Sequence, residues 1–348
     1  MITAWNERIP VPDTAVEEQC RDYVDNLTKP LGSLAEMEVM AVRLAGICGT
    51  VKPKNLKKAI VIAAADAAVD SEANVGHGAS SYEETLLVAG GVAAVSAVAR
   101  DIGAAVYLAD VGLERDVSGI DGVMVHKWQS GSRSPKTREA LTQEACAEAV
   151  AFGVQVAMQL AEDGVRMVGL GDIGERADLA ALAVTAAFLG PELVAKIEAA
   201  GGAADGTDWE LAQREPETVL ARYGSASIAM LVGVILGAAA SRMAVVIDNA
   251  VTGAAALAAV SIAPRVKAYL FSSAAYTHPL QQLQLHQLGM QGYLHYDFTL
   301  AQGLGSALGL SLLDGALDML NEMKTFGTAG VTVAEDGPGK GRQREEVR

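Results

Sequence analysis

Lys58-Ala59-Ile60-Val61-Ile62-Ala63-Ala64-Ala65-Asp66 is an apolar run without polar alternation, held between a lysine and an aspartate. A strand with one wet face alternates. A strand buried on both faces does not, and such burial comes with helices laid across a parallel sheet. Five more segments have this character: Ala104–Asp110, Gly122–His126, Arg166–Asp172, Met243–Asp248 and Lys267–Ser272. Helical patterns lie between several of them, at Tyr82–Arg100, Thr142–Asp163, Asp178–Leu189, Ser225–Ser241 and Thr252–Val260. Strand, helix and strand in this order imply right-handed crossovers. The expected fold is α/β, a parallel sheet of about six strands with helices on both faces. Pro12–Cys48 reads as helix interrupted by a loop at Lys29–Ser33, and Gly303–Gly327 as one or two helices. The two helical chain ends, residues 1–50 and 303–332, are compatible with a smaller second unit beside a large one at 51–302. Residues 333–348 read as a solvated, flexible tail.

Asp66, Asp110, Asp172 and Asp248 each close a predicted strand. Carboxyl ends of parallel strands line the ligand crevice, so these acids are expected along one rim. Each also suits the N-cap of a following helix, and that alternative stays open. Gly169-Leu170-Gly171-Asp172-Ile173-Gly174 fits G-x-G-x-x-G between a strand and a helix. That is the setting for a phosphate cradled by backbone N–H groups. A dinucleotide site also needs a second strand ending in a ribose-binding acid, but Gly190-Pro191-Glu192 and a glycine-rich stretch follow instead. Close packing is the competing role for these glycines. His77, His126, His278, His286 and His295 show no metal-ligand spacing, and no G-x-S-x-G elbow occurs. No metal or cofactor is expected.

Lys and Arg number 27 against 42 Asp and Glu, a formal net charge of −15. Such a chain repels nucleic acid and anionic lipid, so neither is expected as a partner. With 51% apolar and only 5% aromatic residues, its core must be built from Ala, Val, Leu and Ile. Cys20, Cys48 and Cys146 are too scattered for a disulfide framework and read as buried thiols in a reducing cytoplasm. The N-terminus lacks a signal-peptide pattern, and the most apolar stretch, Ala226–Ala240, is short of a bilayer span.

Several segments together resemble the nicotinate-nucleotide:dimethylbenzimidazole phosphoribosyltransferase family, which makes the nucleotide of the cobamide lower ligand. Lys29-Pro30-Leu31-Gly32-Ser33-Leu34 matches its K-P-P-G-S-L motif, followed by Glu38. Asp110-Val111-Gly112, the turn from Gly169 to Leu179, Gly233–Ala239, Val245–Asp248 and Asn321-Glu322-Met323 follow in collinear order. The resemblance implies a Rossmann-like large domain with a small helical domain built from both chain ends, and a dimer in which Lys29, Pro30, Gly32 and Ser33 help close the partner's site. It also implies transfer of phosphoribose from nicotinate mononucleotide to an aromatic base. Asp66, Gly171, Asp172, Gly174, Arg176, Asp248 and Gly303 then fall on substrate-binding positions.

Departures gather at that site. The family's general-base Glu is replaced by Gln302, whose amide takes up no proton at neutral pH. Asp172 replaces a Glu, and Asp178 stands near the expected phosphate. Ala67 and Ala68 replace a His-Gly pair. Ala195–Glu215 holds no recognisable phosphate loop or lysine, and Glu72–Glu84 matches the acceptor region poorly. A polar site lost while the scaffold is kept suggests the non-catalytic or weakly active member of a heterodimer with a homologous catalytic subunit. Its acceptor would be a base or a phenol such as p-cresol. Two alternatives are a homodimeric transferase with a drifted site and a small-molecule binding module on the same fold.

Overall fold

The structure, a computed structural model, describes residues 5–70, 80–134, 139–190, 215–275, 278–296, 300, 302–335 and 337–347. Its elements run α1 (Trp5–Arg8), α2 (Thr14–Asp25), α3 (Glu36–Cys48), β1 (Lys57–Ala65), α4 (Ser81–Ala89), α5 (Ala94–Asp101), β2 (Ala104–Gly112) and β3 (Val123–Val125). Then come α6 (Gln143–Glu162), β4 (Val165–Ile173), α7 (Ala177–Leu189), α8 (Pro216–Tyr223), α9 (Ala226–Ala240), β5 (Ala244–Ile247) and α10 (Ala250–Ile262). A 3-10 turn (Pro264–Tyr269), β6 (Leu270–Ser272), β7 (Ala274–Ala275), α11 (Pro279–Leu288), β8 (Leu294–His295), α12 (Leu304–Glu322) and α13 (Phe326–Ala329) complete the order.

The six expected strands form one sheet in the order β3-β2-β1-β4-β5-β6, every pair parallel. β1 is buried along its last seven residues, as its unbroken apolar run requires. Three local expectations change. The helix foreseen at Tyr82–Arg100 breaks at Gly90-Gly91 into α4 and α5, with Gly91 at φ 68°. The Ser81–Asp101 stretch therefore does not run as one helix, although its 21 residues are apolar enough for a membrane span. Lys267, expected in the last strand, lies in the 3-10 turn started by Pro264, so β6 begins only at Leu270. The short parallel pair β7-β8 carried too little apolar pattern to be foreseen.

α9 is buried on all sides except at its last residue. It crosses α6 through Gly233 and Gly153, where backbone meets backbone. A β-carbon on Gly153 would overlap the Met230 carbonyl oxygen and sit 2.8 Å from the Val234 nitrogen. Absent side chains thus set this interhelical distance. The start of α12 is pinned to the sheet by Ser306. Its Oγ accepts from the Leu170 N–H at 3.1 Å and lies 2.6 Å from the Leu170 carbonyl and 3.0 Å from that of Val246. Ser306→Ala should leave buried strand groups unpaired and cost about 1–3 kcal/mol, read as a lower urea midpoint.

The chain divides into two compact units, Met1–Pro10 with Lys57–Gly309, and Val11–Leu56 with Leu310–Arg348. Residues 1–10, assigned from sequence to the small domain, belong with the sheet. Arg265 Nη1 donates to the Ile9 carbonyl at 3.2 Å, and Tyr269 Oη to that of Pro10 at 2.9 Å. In the second unit the expected flexible tail is tied down. Arg342 pairs with Asp25, Arg344 with Asp22 at 2.9 Å, and Thr325 Oγ1 donates to the Val347 carbonyl at 2.7 Å. Composition marked the tail as solvated; complementary charges on α2 give it a place to lie.

Candidate functional site at the sheet's switch point

Strand order reverses between β1 and β4, where open α/β sheets leave a crevice beyond the strand ends. Register sets Ala63 opposite Asp172, and Ala64 opposite both Asp110 and Ile173, so the acid-bearing ends finish at one level.

The four strand-end acids have different duties. Asp66 clips two loops, its carboxylate accepting from the N–H groups of Glu114 at 2.8 Å and Glu175 at 3.0 Å. Asp110 accepts from Gly112 and Leu113 N–H and pairs with Lys127 at 3.0 Å. Asp248, also buried, receives the Gln281 side-chain amide on its backbone carbonyl, while its own N–H donates to Thr252 Oγ1 at 2.8 Å. For Asp66 and Asp110 the structure thus adds loop-holding bonds like those of a cap.

Asp172 is held differently. Its Oδ1 accepts from Asn249 Nδ2 at 2.6 Å, while Asn249 Oδ1 caps α10 by accepting from Val251 and Thr252. Burial pushes the Asp172 carboxyl up to about 7; the Asn249 bond opposes this, and the nearby acids Asp178 and Glu84 add to it. Near neutral pH the group therefore holds its proton part of the time.

Over Asp172 sits a tight turn. Gln302, at φ 59°, donates its N–H to the Asp172 carbonyl at 3.2 Å, and Gly303 follows at φ 81°. Gly171 is bare because a side chain there would come within 2.5 Å of the Gly303 nitrogen. A side chain at Gly174 would overlap the Ala65 carbonyl, so both glycines serve close packing. Arg176 also takes a left-handed backbone, φ 57°. Its Nε donates to the Ala67 carbonyl at 3.1 Å and its guanidinium lies 3.8 Å from Glu175, so its charge is engaged within the loop.

Two participants, Asn249 and Glu84, could not be singled out from sequence. Glu84 stands in the first turn of α4, and the Gln302 side chain hydrogen-bonds to its carboxylate. A legible signal preceded it. Ser80-x-x-Glu83 is a capping box, with Ser80 Oγ accepting from the Glu83 N–H at 3.3 Å and Glu83 accepting from the Ser80 N–H at 2.9 Å. Starting the helix at Ser81 puts Glu83 outside and Glu84 on the inner side. Residues 71–79 and 191–214, covering most of the expected acceptor and phosphate-loop regions, lie outside the described residues. Among the described residues no three His, Cys, Asp or Glu side chains gather as a metal site.

In the second unit, Lys29 is buried against Glu38 at 2.9 Å, while Pro30, Gly32 and Ser33 are exposed. Glu38 also accepts from the Leu34 N–H at 2.9 Å, so the lysine is spent on shaping its own loop.

A sequence profile described as phosphoribosyltransferase matches residues 9–331. The chain belongs to this family. Among its relatives, the nicotinate-nucleotide–dimethylbenzimidazole phosphoribosyltransferase of Geobacter sp. (strain M21) is 33% identical, covering 93% of this chain and 97% of that protein. Its namesake from Alkaliphilus metalliredigens is also 33% identical, over 92% of this chain and 96% of its own. A Thermus thermophilus crystal structure bearing the same enzyme name superposes with a TM-score of 0.83. It is 30% identical and covers 92% of this chain and 100% of that one. A second structure from that organism, named CobT, gives a TM-score of 0.85 at 30% identity over the same shares. The family is the nicotinate-nucleotide:dimethylbenzimidazole phosphoribosyltransferase of cobamide biosynthesis. Within this phosphoribosyltransferase framework, Gln302 and Asp172 meet at the carboxyl edge of the sheet and Glu84 joins them from α4.

Proposed function

We propose that this chain is one subunit of a transferase that moves phosphoribose from nicotinate mononucleotide to an aromatic acceptor. Its own pocket turns over slowly, and it supports a homologous subunit with a complete site. The observation that carries this reading is the turn over β4. An amide, Gln302, occupies the position that the resemblance assigns to the general base, and its N–H is locked on the Asp172 carbonyl. Beside it, Asp178 in the first turn of α7 takes the helix-end position that would otherwise receive an anion, and it lies close enough to raise the Asp172 carboxyl. A dianionic phosphate is poorly received by such a rim.

The exposed loop Pro30, Gly32 and Ser33 is suited to a partner subunit, and a pair of homologous chains lets one supply what the other lacks. The acceptor is the dimethylbenzimidazole named for the relatives, or a phenol such as p-cresol. All three cysteines are free, which suits the cytoplasm.

Purified alone with nicotinate mononucleotide and either acceptor, the chain should release nicotinate at no more than about a hundredth of the rate of a motif-complete homologue. Co-expressed with such a homologue, it should co-purify in equal amounts and raise the partner's turnover. Robust turnover by the isolated chain, or no association with the homologue, overturns the reading.

A further inference from the structure

Loss of the carboxylate at 302 need not empty the site of carboxylates. Gln302 is 3% exposed and anchored through its backbone to Asp172, with Gly303 seated on Gly171, so its side chain is aimed by a rigid turn. The partner it finds is Glu84. That residue's position is fixed independently, because the capping box sets the start of α4 while Ser81, Thr85 and Val88 bury one face of the helix. Glu83 is consumed by the cap and faces solvent, beside Arg115, which stacks on Tyr82. Glu84 is half-buried, and its carboxylate receives the Gln302 amide.

We propose that Glu84 is the proton acceptor of this pocket, a catalytic residue placed on α4 that does what Gln302 cannot. The proposal rests on the phosphoribosyl-transfer reading above. In that reaction the acceptor's ring nitrogen or phenolic oxygen forms a bond to C1′ of the ribose. The bond from C1′ to the nicotinate nitrogen breaks, and its electron pair stays on the departing ring. The acceptor's N–H or O–H proton passes to the Glu84 carboxylate and then to water. Gln302 positions that carboxylate by donating from its amide.

The charged surroundings agree with this division. Burial raises the Glu84 carboxyl above the ordinary range and the Gln302 bond pulls it back. From β4 it faces Asp172, whose carboxyl burial pushes up to about 7 and which Glu84 helps to raise. At the ends of β1 and β2, Asp66 is engaged by loop N–H groups and Asp110 by Lys127, while Asp178 lies beyond Asp172.

Titration calorimetry of the full chain with 5,6-dimethylbenzimidazole and with p-cresol, from pH 4.5 to 8, tests the assignment alongside nicotinate release. Affinity for p-cresol should fall below an acid limb set by Glu84. Glu84→Gln should weaken binding about tenfold, erase that limb and cut residual nicotinate release at least about a hundredfold. The swap Glu84→Gln/Gln302→Glu, which keeps one acid and one amide, should recover both to within about tenfold. Glu83→Gln, outside the pocket, reports any loss due to helix destabilisation alone. Unchanged affinity and pH profile in Glu84→Gln overturn the Glu84 assignment while leaving the transferase reading standing. If neither probe binds the native protein at millimolar concentration, both fail together.

Discussion

Gly153→Ala is expected to destabilise the protein by about 3 kcal/mol or more, because one added methyl must separate two buried helices. Its β-carbon would overlap the Met230 carbonyl and crowd the Val234 nitrogen; the reciprocal substitution at Gly233 would overlap the Val150 carbonyl. Neither obstacle is a side chain that can swing away. α9 cannot retreat, since it is buried along nearly its whole length. Gly119→Ala is the matched control: its added carbon meets nothing within 4 Å, and a change within about 0.5 kcal/mol is expected. Urea unfolding of the two variants measures the difference, and equal midpoints would show that α6 and α9 are not in backbone contact.

Asp172→Asn should stabilise the folded chain above pH 7 and flatten its stability between pH 4 and 8. The folded carboxyl is pushed from the ordinary 3.8 to about 7, so the native state binds more protons than the unfolded chain across that window. Stability from this group is therefore full below about pH 4 and is lost as pH rises toward and through 7. At about 1.4 kcal/mol per pH unit, the cost avoided by the amide has an upper bound of about 4 kcal/mol at pH 8. Asn249 keeps a partner, since an amide oxygen at 172 still accepts its hydrogen bond. Thermal melts of both proteins at pH 5 and 8 read the effect as a pH-dependent gap in Tm. A parallel pair of pH curves would mean that Asp172 ionises as an exposed aspartate does.

Much of the scaffold was legible in the chain itself. The unbroken apolar runs from Ala59 to Ala65 and from Met243 to Ile247 announced two-sided burial, and the six expected strands occupy one parallel sheet. The divided helix at Gly90-Gly91 was readable in principle, because paired glycines punctuate helices. Less could be foretold at the rim. Asp66, Asp110, Asp172 and Asp248 look alike as strand-ending acids, yet loop N–H groups engage the first two, while Asn249 and burial set the state of Asp172. Gln281 and Gln284 read as the polar part of an amphipathic helix. Both are buried, Gln281 donating to the Ala274 carbonyl and Gln284 to Thr185 Oγ1.

What the sequence by itself determined is the alternation of buried strands and helices and, through its collinear motifs, the family. Burial periodicity is a local property, written within a few residues of itself. Which carboxylate faces Gln302 was decided only by the tertiary structure. Glu84 and Gln302 are far apart along the chain, and they meet because α4 and the glycine turn both lie at the ends of β1 and β4. A proton's affinity depends on every dipole, charge and buried surface around it, and folding brings those together from distant segments. The sequence therefore put an amide at 302, while the fold placed Glu84 beside it.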